Sequence, residues 1–306
     1  MDEQSTKTTH AAANRQRLIG IALMALAFFF FSMLDTAAKW LNQSIPTAQT
    51  VWSRYMFSVL IVLMFINPKT KPGVLKTKRP ILQLVRSFLL FASTLFNFIA
   101  LNYLQLSQTT AIAFAAPLIV TFLSGPLLGE NISRDRMIAI GVGFFGVLLV
   151  ARPGFGGIHP VAFLSIIGVT CYALFAIMTR HLAAHDSTET TLVYSGLVGA
   201  GLLSLVMPFV WKTPPDLLVF GLMVAMGAFA AIGHYVLISA HRYAPANVLS
   251  PFGYTQLIWM IILGYIVFGD VPDIFTLGGG LIVVGSGLYL LSRERSRQPI
   301  PIEPAA

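Results

Sequence analysis

The chain has 306 residues, of which 56% are hydrophobic and only 10% charged, with a mean hydropathy of +0.76; that leaves too little polar surface to cover a water-soluble domain of this size. A net charge of +8 would suggest nucleic acid in a soluble protein, but here the basic residues sit in loops between apolar stretches and read as determinants of membrane orientation. A single cysteine, Cys171, excludes an intrachain disulfide and a cysteine-rich metal site.

Residues 1–17 form a polar tail that ends in Arg15 and Arg17. Apolar stretches follow at 18–40, 46–66, 81–101, 106–128, 135–151, 159–182, 188–210, 216–238, 244–268 and 274–292, and each approaches the roughly 17 to 25 residues that cross a bilayer. The spacing therefore predicts ten membrane-spanning helices in an all-α polytopic protein. A β-barrel is excluded because the stretches are continuously apolar and do not alternate. The only sizeable loop is Asn67–Pro80, where Pro68, Pro72, Gly73 and Pro80 block helix continuation. Glu130–Asn131 and Asp270–Val271 read as tight hairpin turns, and the glycines of helices 5 and 10, among them Gly141, Gly146, Gly279 and Gly285, allow close helix contact. Residues 293–306 are again a polar tail, and neither tail has the apolar surface to order itself.

The chain repeats at a separation of about 140 residues. Tyr103, Gly129 and Glu130 recur as Tyr243, Gly269 and Asp270; Phe31, Lys39, Leu41 and Thr50 answer to Tyr172, Arg180, Leu182 and Thr191. Two five-helix units result, 18–151 and 159–292. Of the 20 Lys and Arg, 15 fall on the side of the N-terminus, and Lys39, Arg152 and Lys212 on the other. This bias places both termini in the cytoplasm, and five crossings per unit invert the second copy relative to the first.

Polar groups inside spanning helices are expensive and need a partner or a purpose. Asp35 and Lys39 lie one turn apart on helix 1, an ion pair by spacing, with Arg54 of helix 2 also within reach of Asp35. Structural pairing and direct contact with a substrate or proton both remain open for Asp35. Arg86 is expected to snorkel to the interface. On helix 4, Ser107, Thr110, Ala111 and Phe114 share a face, and the same face of helix 9 carries Asn247, Ser250, Pro251 and Tyr254. Pro117 and Pro251 each free a backbone carbonyl and mark sites of kinking or gating. These faces either line a cavity or bond neighbouring helices. His234, near the repeat mate of Asn97, is either a satisfied hydrogen-bonding group or a proton carrier. Phe31 and its repeat mate Tyr172 complete the candidate set of substrate-binding residues, with Asp35, Asn97, Phe114, His234, Asn247 and Tyr254. No phosphate loop, nucleophile elbow or H-E-x-x-H motif is present, so no enzyme, cofactor or metal site is expected.

The segment from Ala100 through Tyr103, Ser107 and Ala111, then Pro117, Gly129-Glu130, Gly141 and Gly146, resembles the first EamA-type repeat of the drug/metabolite transporter superfamily. Gly233-His234, Ala240 to Ala246, Pro251, Tyr254 and Phe268 to Asp273 resemble the second. Asp270 stands where the family pattern has Glu, a change that preserves helix capping. The resemblance implies an inverted five-plus-five bundle around a central cavity between helices 1, 3, 4, 6, 8 and 9, working by alternating access in a bacterial inner membrane. Within the superfamily the chain looks most like amino acid exporters of the YddG type, which implies amino acids, aromatic ones included, as substrates, membrane lipid as the other partner, no nucleic acid and a monomer. Carriers of riboflavin or S-adenosylmethionine, with or without proton coupling, are the alternative.

Overall fold

A computed structural model describes residues 3–67, 69–128, 134–151, 161–182, 185–240, 243 and 249–295. Its helices are α1 Glu3–Leu41, α2 Thr47–Phe65, α3 Pro80–Ala100, α4 Leu106–Ala113, α5 Ala116–Leu128, α6 Arg134–Ala151, α7 Ala162–Leu182, α8 Thr188–Val210, α9 Leu217–Ala240, α10 Thr255–Leu263 and α11 Ile274–Arg295. Every described helix falls on an apolar stretch of the sequence, and no strand occurs among the described residues. α1 starts earlier than expected, because the polar segment before residue 18 contains helix formers such as Ala11, Ala12 and Ala13 that extend it. α11 likewise runs on to Arg295.

Helices 4 and 9 of the sequence are broken near Pro117 and Pro251, whereas α8 runs on through Pro208. Helix 4 of the sequence divides into α4 and α5, with Phe114 bonding back to Thr110 and the Ala115 amide reaching only to Ile112. Pro117 has no amide to offer the carbonyl of Ala113. In the second half a 3-10 turn at Ser250–Tyr254 precedes α10, and a π turn at Gly264–Phe268 follows it. Gly269 then ends the helix with a φ of +69°, a left-handed conformation that favours glycine.

Packing follows the inverted repeat. α1 lies against α9 and α3 against α7, which are the same contact with the halves exchanged; α2 meets its own counterpart α8, and α6 meets α11. Small residues set these crossings. A Cβ placed on Gly146 would lie 2.8 Å from the carbonyl oxygen of Gly279, and one on Gly279 would lie 2.6 Å from that of Gly146. Gly196 and Gly199 of α8 receive Val59 and Tyr55 of α2, and Gly168 of α7 rests on Ser93 and Phe96 of α3. One apolar cluster joins Leu34, Leu41, Tyr55, Phe98 and Met226; a second joins Ile112, Phe114, Val147 and Val283. Around the outside, Ile81 (78% exposed), Phe209 (87%), Leu217 (83%) and Ile274 (76%) belong to an apolar belt that only lipid can cover.

Candidate functional site

Three helix starts and ends carry polar networks that close the bundle. At the end formed by the α1–α2 and α8–α9 connections, Gln49 bonds both the carbonyl and the amide of Lys212, whose Nζ donates to the Ser44 carbonyl at 2.8 Å. Lys39 Nζ donates to Asp270 Oδ2 at 2.6 Å and lies 4.7 Å from the centre of the Phe268 ring. Lys39 therefore pairs with Asp270 and not, as its spacing suggests, with Asp35. The turn held by Gly269 brings a carboxylate that keeps 23% of its side chain exposed, so pairing there costs less desolvation than pairing deeper in the membrane.

At the opposite end Asp186, between α7 and α8, accepts from the Thr77 hydroxyl, the Lys78 amide at 2.9 Å and Gln83 Nε2 at 2.9 Å. Burial opposes its charge, but these hydrogen bonds and the nearby His185 outweigh burial and hold its carboxyl below the ordinary range. Arg86 stands just inside this network and does not snorkel. It is 3% exposed, with Nε donating to Thr179 at 2.6 Å, Nη2 to Ser195 at 3.0 Å, Nη1 to the Thr191 carbonyl at 3.3 Å, and its guanidinium over the Phe175 ring. Hydroxyls on α7 and α8 supply acceptors that a route to the interface would not improve.

Between the two ends lies a cavity walled by α2, α3, α8 and α9, with Arg54, Tyr55, Ser58, Leu90, Ser195 and His234 among its lining residues. The expected cavity drew on helices 1, 3, 4, 6, 8 and 9 and omitted 2 and 7; the structure brings in α2 and α8, where glycines along α8 let α2 approach. Phe114 and Tyr254 meet edge to face at 4.9 Å inside the second apolar cluster, where a side chain at Gly287 would overlap the Tyr254 hydroxyl.

Of the other candidates among the described residues, His234 alone is one of the cavity's lining residues. Asn97 Nδ2 donates to Asp35 Oδ1 at 3.3 Å, and one turn earlier on α3 Thr94 accepts from Arg54 Nη1 at 3.0 Å and shares a hydrogen bond with Tyr55 at 2.8 Å. Asp35 and Arg54 act on one another's charge without a direct ion pair. Phe31 meets the His234 ring edge-on at 5.0 Å. Tyr172 lies against Phe175 with ring centres 5.7 Å apart and tilted, which links it to Arg86, and it is 45% exposed. Pro117 is exposed beside the α4–α5 break and Pro251 sits in the 3-10 turn. Asn247 lies outside the described residues. Sequence reasoning missed Tyr55, Ser58 and Ser195 as lining residues; the signal available was that Arg54 and Ser58 share a helix face, and that a small polar residue precedes Gly196.

Among the described residues no cluster of His, Cys, Asp or Glu is arranged to hold a metal. Comparison with known proteins bears on what such an intramembrane polar cavity serves. The model of the EamA-like transporter family matches twice, at residues 18–152 and 159–293. The chain belongs to this family. Similar curated proteins include the S-adenosylmethionine uptake transporter of Rickettsia bellii, 26% identical over 90% of this chain and 94% of that one. The riboflavin transporter of Vibrio cholerae is 25% identical over 90% and 91%, and the pseudopaline exporter CntI of Pseudomonas aeruginosa 24% identical over 87% and 93%. A solved crystal structure superposes with a TM-score of 0.63 over 93% of this chain and 99% of the other; at 16% identity it shows the fold alone. The EamA-like chain is thus a multi-pass membrane transporter of small molecules.

Proposed function

We propose that the protein is a secondary carrier that works by alternating access on a metabolite combining a ring system with a polar head, and that S-adenosylmethionine is the first candidate. The observation that carries this reading is the gathering of Arg54, His234 and Ser195 around one intramembrane cavity, with Asp35 and the rings of Phe31 and Tyr55 beside it. Aromatic faces suit a heteroaromatic base, and groups of both charge signs suit a zwitterion. The relatives that carry S-adenosylmethionine or riboflavin favour such a cargo over free amino acids, and export of aromatic amino acids stands second. The absence of a nucleotide-binding motif fits a carrier driven by gradients. The same reading places the chain in a bacterial inner membrane as a monomer with both termini in the cytoplasm, in keeping with its 15 to 3 distribution of Lys and Arg.

Purified protein in proteoliposomes tests it. Preloading with unlabelled S-adenosylmethionine should drive transient accumulation of labelled S-adenosylmethionine, with riboflavin and phenylalanine run in parallel. Counterflow of phenylalanine alone would return the amino acid reading to first place, and equilibration without overshoot for every compound would point to a channel.

A further inference from the structure

Arg54 is a guanidinium placed two turns inside a membrane-spanning helix, and its bonding is half complete. Nη1 donates to Thr94 and the flat face lies 4.6 Å from the centre of the Tyr55 ring. Nε is buried with no hydrogen-bond partner, and no acceptor among the described residues meets Nη2. These two nitrogens form one edge of the planar fork, the edge that binds a carboxylate with two parallel hydrogen bonds. A buried donor left without an acceptor is costly, so its persistence here calls for an occupant.

The surroundings say what kind. Arg54 lines the cavity together with Ser58 and His234, while Thr94 and Tyr55 hold the opposite edge and the face of the guanidinium and so fix its plane. Asp35 accepts from Asn97 and makes no bond to the fork. Arg86 adds a second buried cation one hydrogen bond behind the cavity, through Ser195, and its own partners are all neutral. Two guanidiniums set against one nearby carboxylate leave the region short of negative charge. The contacts with Thr94 and Tyr55 restrict the guanidinium from two sides, which favours one direction for the free edge.

We infer that the free Nε–Nη2 edge of Arg54 is the carboxylate-binding site of the cavity, so that the transported metabolite carries a carboxylate. The inference rests on the proposed carrier reading and narrows it: S-adenosylmethionine and amino acids satisfy the site, whereas riboflavin, which has no carboxylate, does not.

Ligand pairs that differ only by the carboxylate test it in the full-length purified protein, with thermal stabilisation giving apparent affinity. The pairs are S-adenosylmethionine with its decarboxylated form and phenylalanine with phenethylamine; riboflavin is the ligand with no carboxylate. The carboxylated member of a pair should bind about 10- to 100-fold more tightly, the worth of hydrogen bonds to a charged group. Arg54→Gln should erase that difference while leaving the decarboxylated member unchanged. If Arg54→Gln does not fold, Arg54→Lys keeps the charge, loses the fork, and should weaken the carboxylated member alone. Preference for phenylalanine over phenethylamine with no response to S-adenosylmethionine would support the site and remove the S-adenosylmethionine assignment. Equal affinity within the pairs, equal weakening of both members by the variants, binding of riboflavin alone, or no carboxylate bound at millimolar concentration would each overturn the site.

Discussion

The Asp35–Asn97–Arg54 cluster and the Phe114–Tyr254 pair occupy equally apolar parts of one bundle, yet they are built on opposite plans. Around Phe114 the packing is close: α6 and α11 touch at Gly146 and Gly279, and the two rings close on each other at 4.9 Å. Around Arg54 polar groups are held at one edge and left free at the other. Complete packing stabilises a fold and leaves nothing for a ligand to improve, whereas incomplete satisfaction costs stability and reserves interactions for a cargo. The comparison predicts that substitutions in the first region are read in stability and those in the second in transport.

The largest effect is expected at Gly279→Leu. The added side chain would start within 2.6 Å of the Gly146 carbonyl oxygen, which a backbone contact cannot yield, and size-exclusion chromatography should find no monodisperse protein. Phe114→Ala comes next: emptying the space of an aromatic that is 8% exposed should cost about 3–5 kcal/mol and lower the melting temperature, with transport per folded molecule little changed. A large loss of transport at unchanged melting temperature would instead put the pair in the substrate path.

Asp35→Asn should show the reverse pattern, a fall in counterflow of at least about tenfold, the worth of one charge-assisted hydrogen bond, with folded protein still recovered. Should melting temperature fall as far as it does for Phe114→Ala, Asp35 is structural and the comparison breaks. Lys39→Ala is expected to cost about 1 kcal/mol, because the pair with Asp270 is partly exposed, and the charge-reversed double variant Lys39→Asp with Asp270→Lys should recover part of the loss in a double-mutant cycle.

The smallest effect is a pH dependence. The Asp186 carboxyl is depressed in the folded protein, so its contribution is full above its unfolded value of about 3.9 and is lost as pH falls through the lower folded value. The melting-temperature advantage of wild type over Asp186→Asn should be constant from neutral pH down to about pH 5 and shrink below it. An advantage that grew on acidification would contradict the network at Thr77, Lys78 and Gln83.

Much of this architecture was legible in the chain. Continuous apolar stretches have few alternatives in a membrane, so the helices fell where hydropathy placed them, and the repeat at 140 residues pointed to two halves; which helices pair across them is seen only in the fold. The glycines of helices 5 and 10 marked close contacts, expected with helices 4 and 9, but Gly146 and Gly279 bring helices 5 and 10 against each other instead. Partner choice was less legible. Lys39 has Asp35 at helical spacing, and only the fold reveals that the Gly269 turn delivers Asp270 instead. Arg86 lies near a helix start, where a long side chain ordinarily reaches water; Thr179 and Ser195, about a hundred residues away, decide otherwise. Repeat symmetry gave Phe114 and Tyr254 equivalent positions approaching the symmetry axis from opposite sides, as two walls of a cavity; in the fold the rings meet each other.

At the α6–α11 crossing Gly146 and Gly279 each lie against the other's carbonyl, and side chains close over both: Ile282 and Val283 over Gly146, Val150 over Gly279. A crossing this close resists separation, so relative motion of the two halves is expected to pivot near it. Displacement then grows with the lever arm, and spin labels on the α1–α2 and α7–α8 connections, at Ser44 and His185, should separate and approach in opposite phase while labels flanking the crossing stay still.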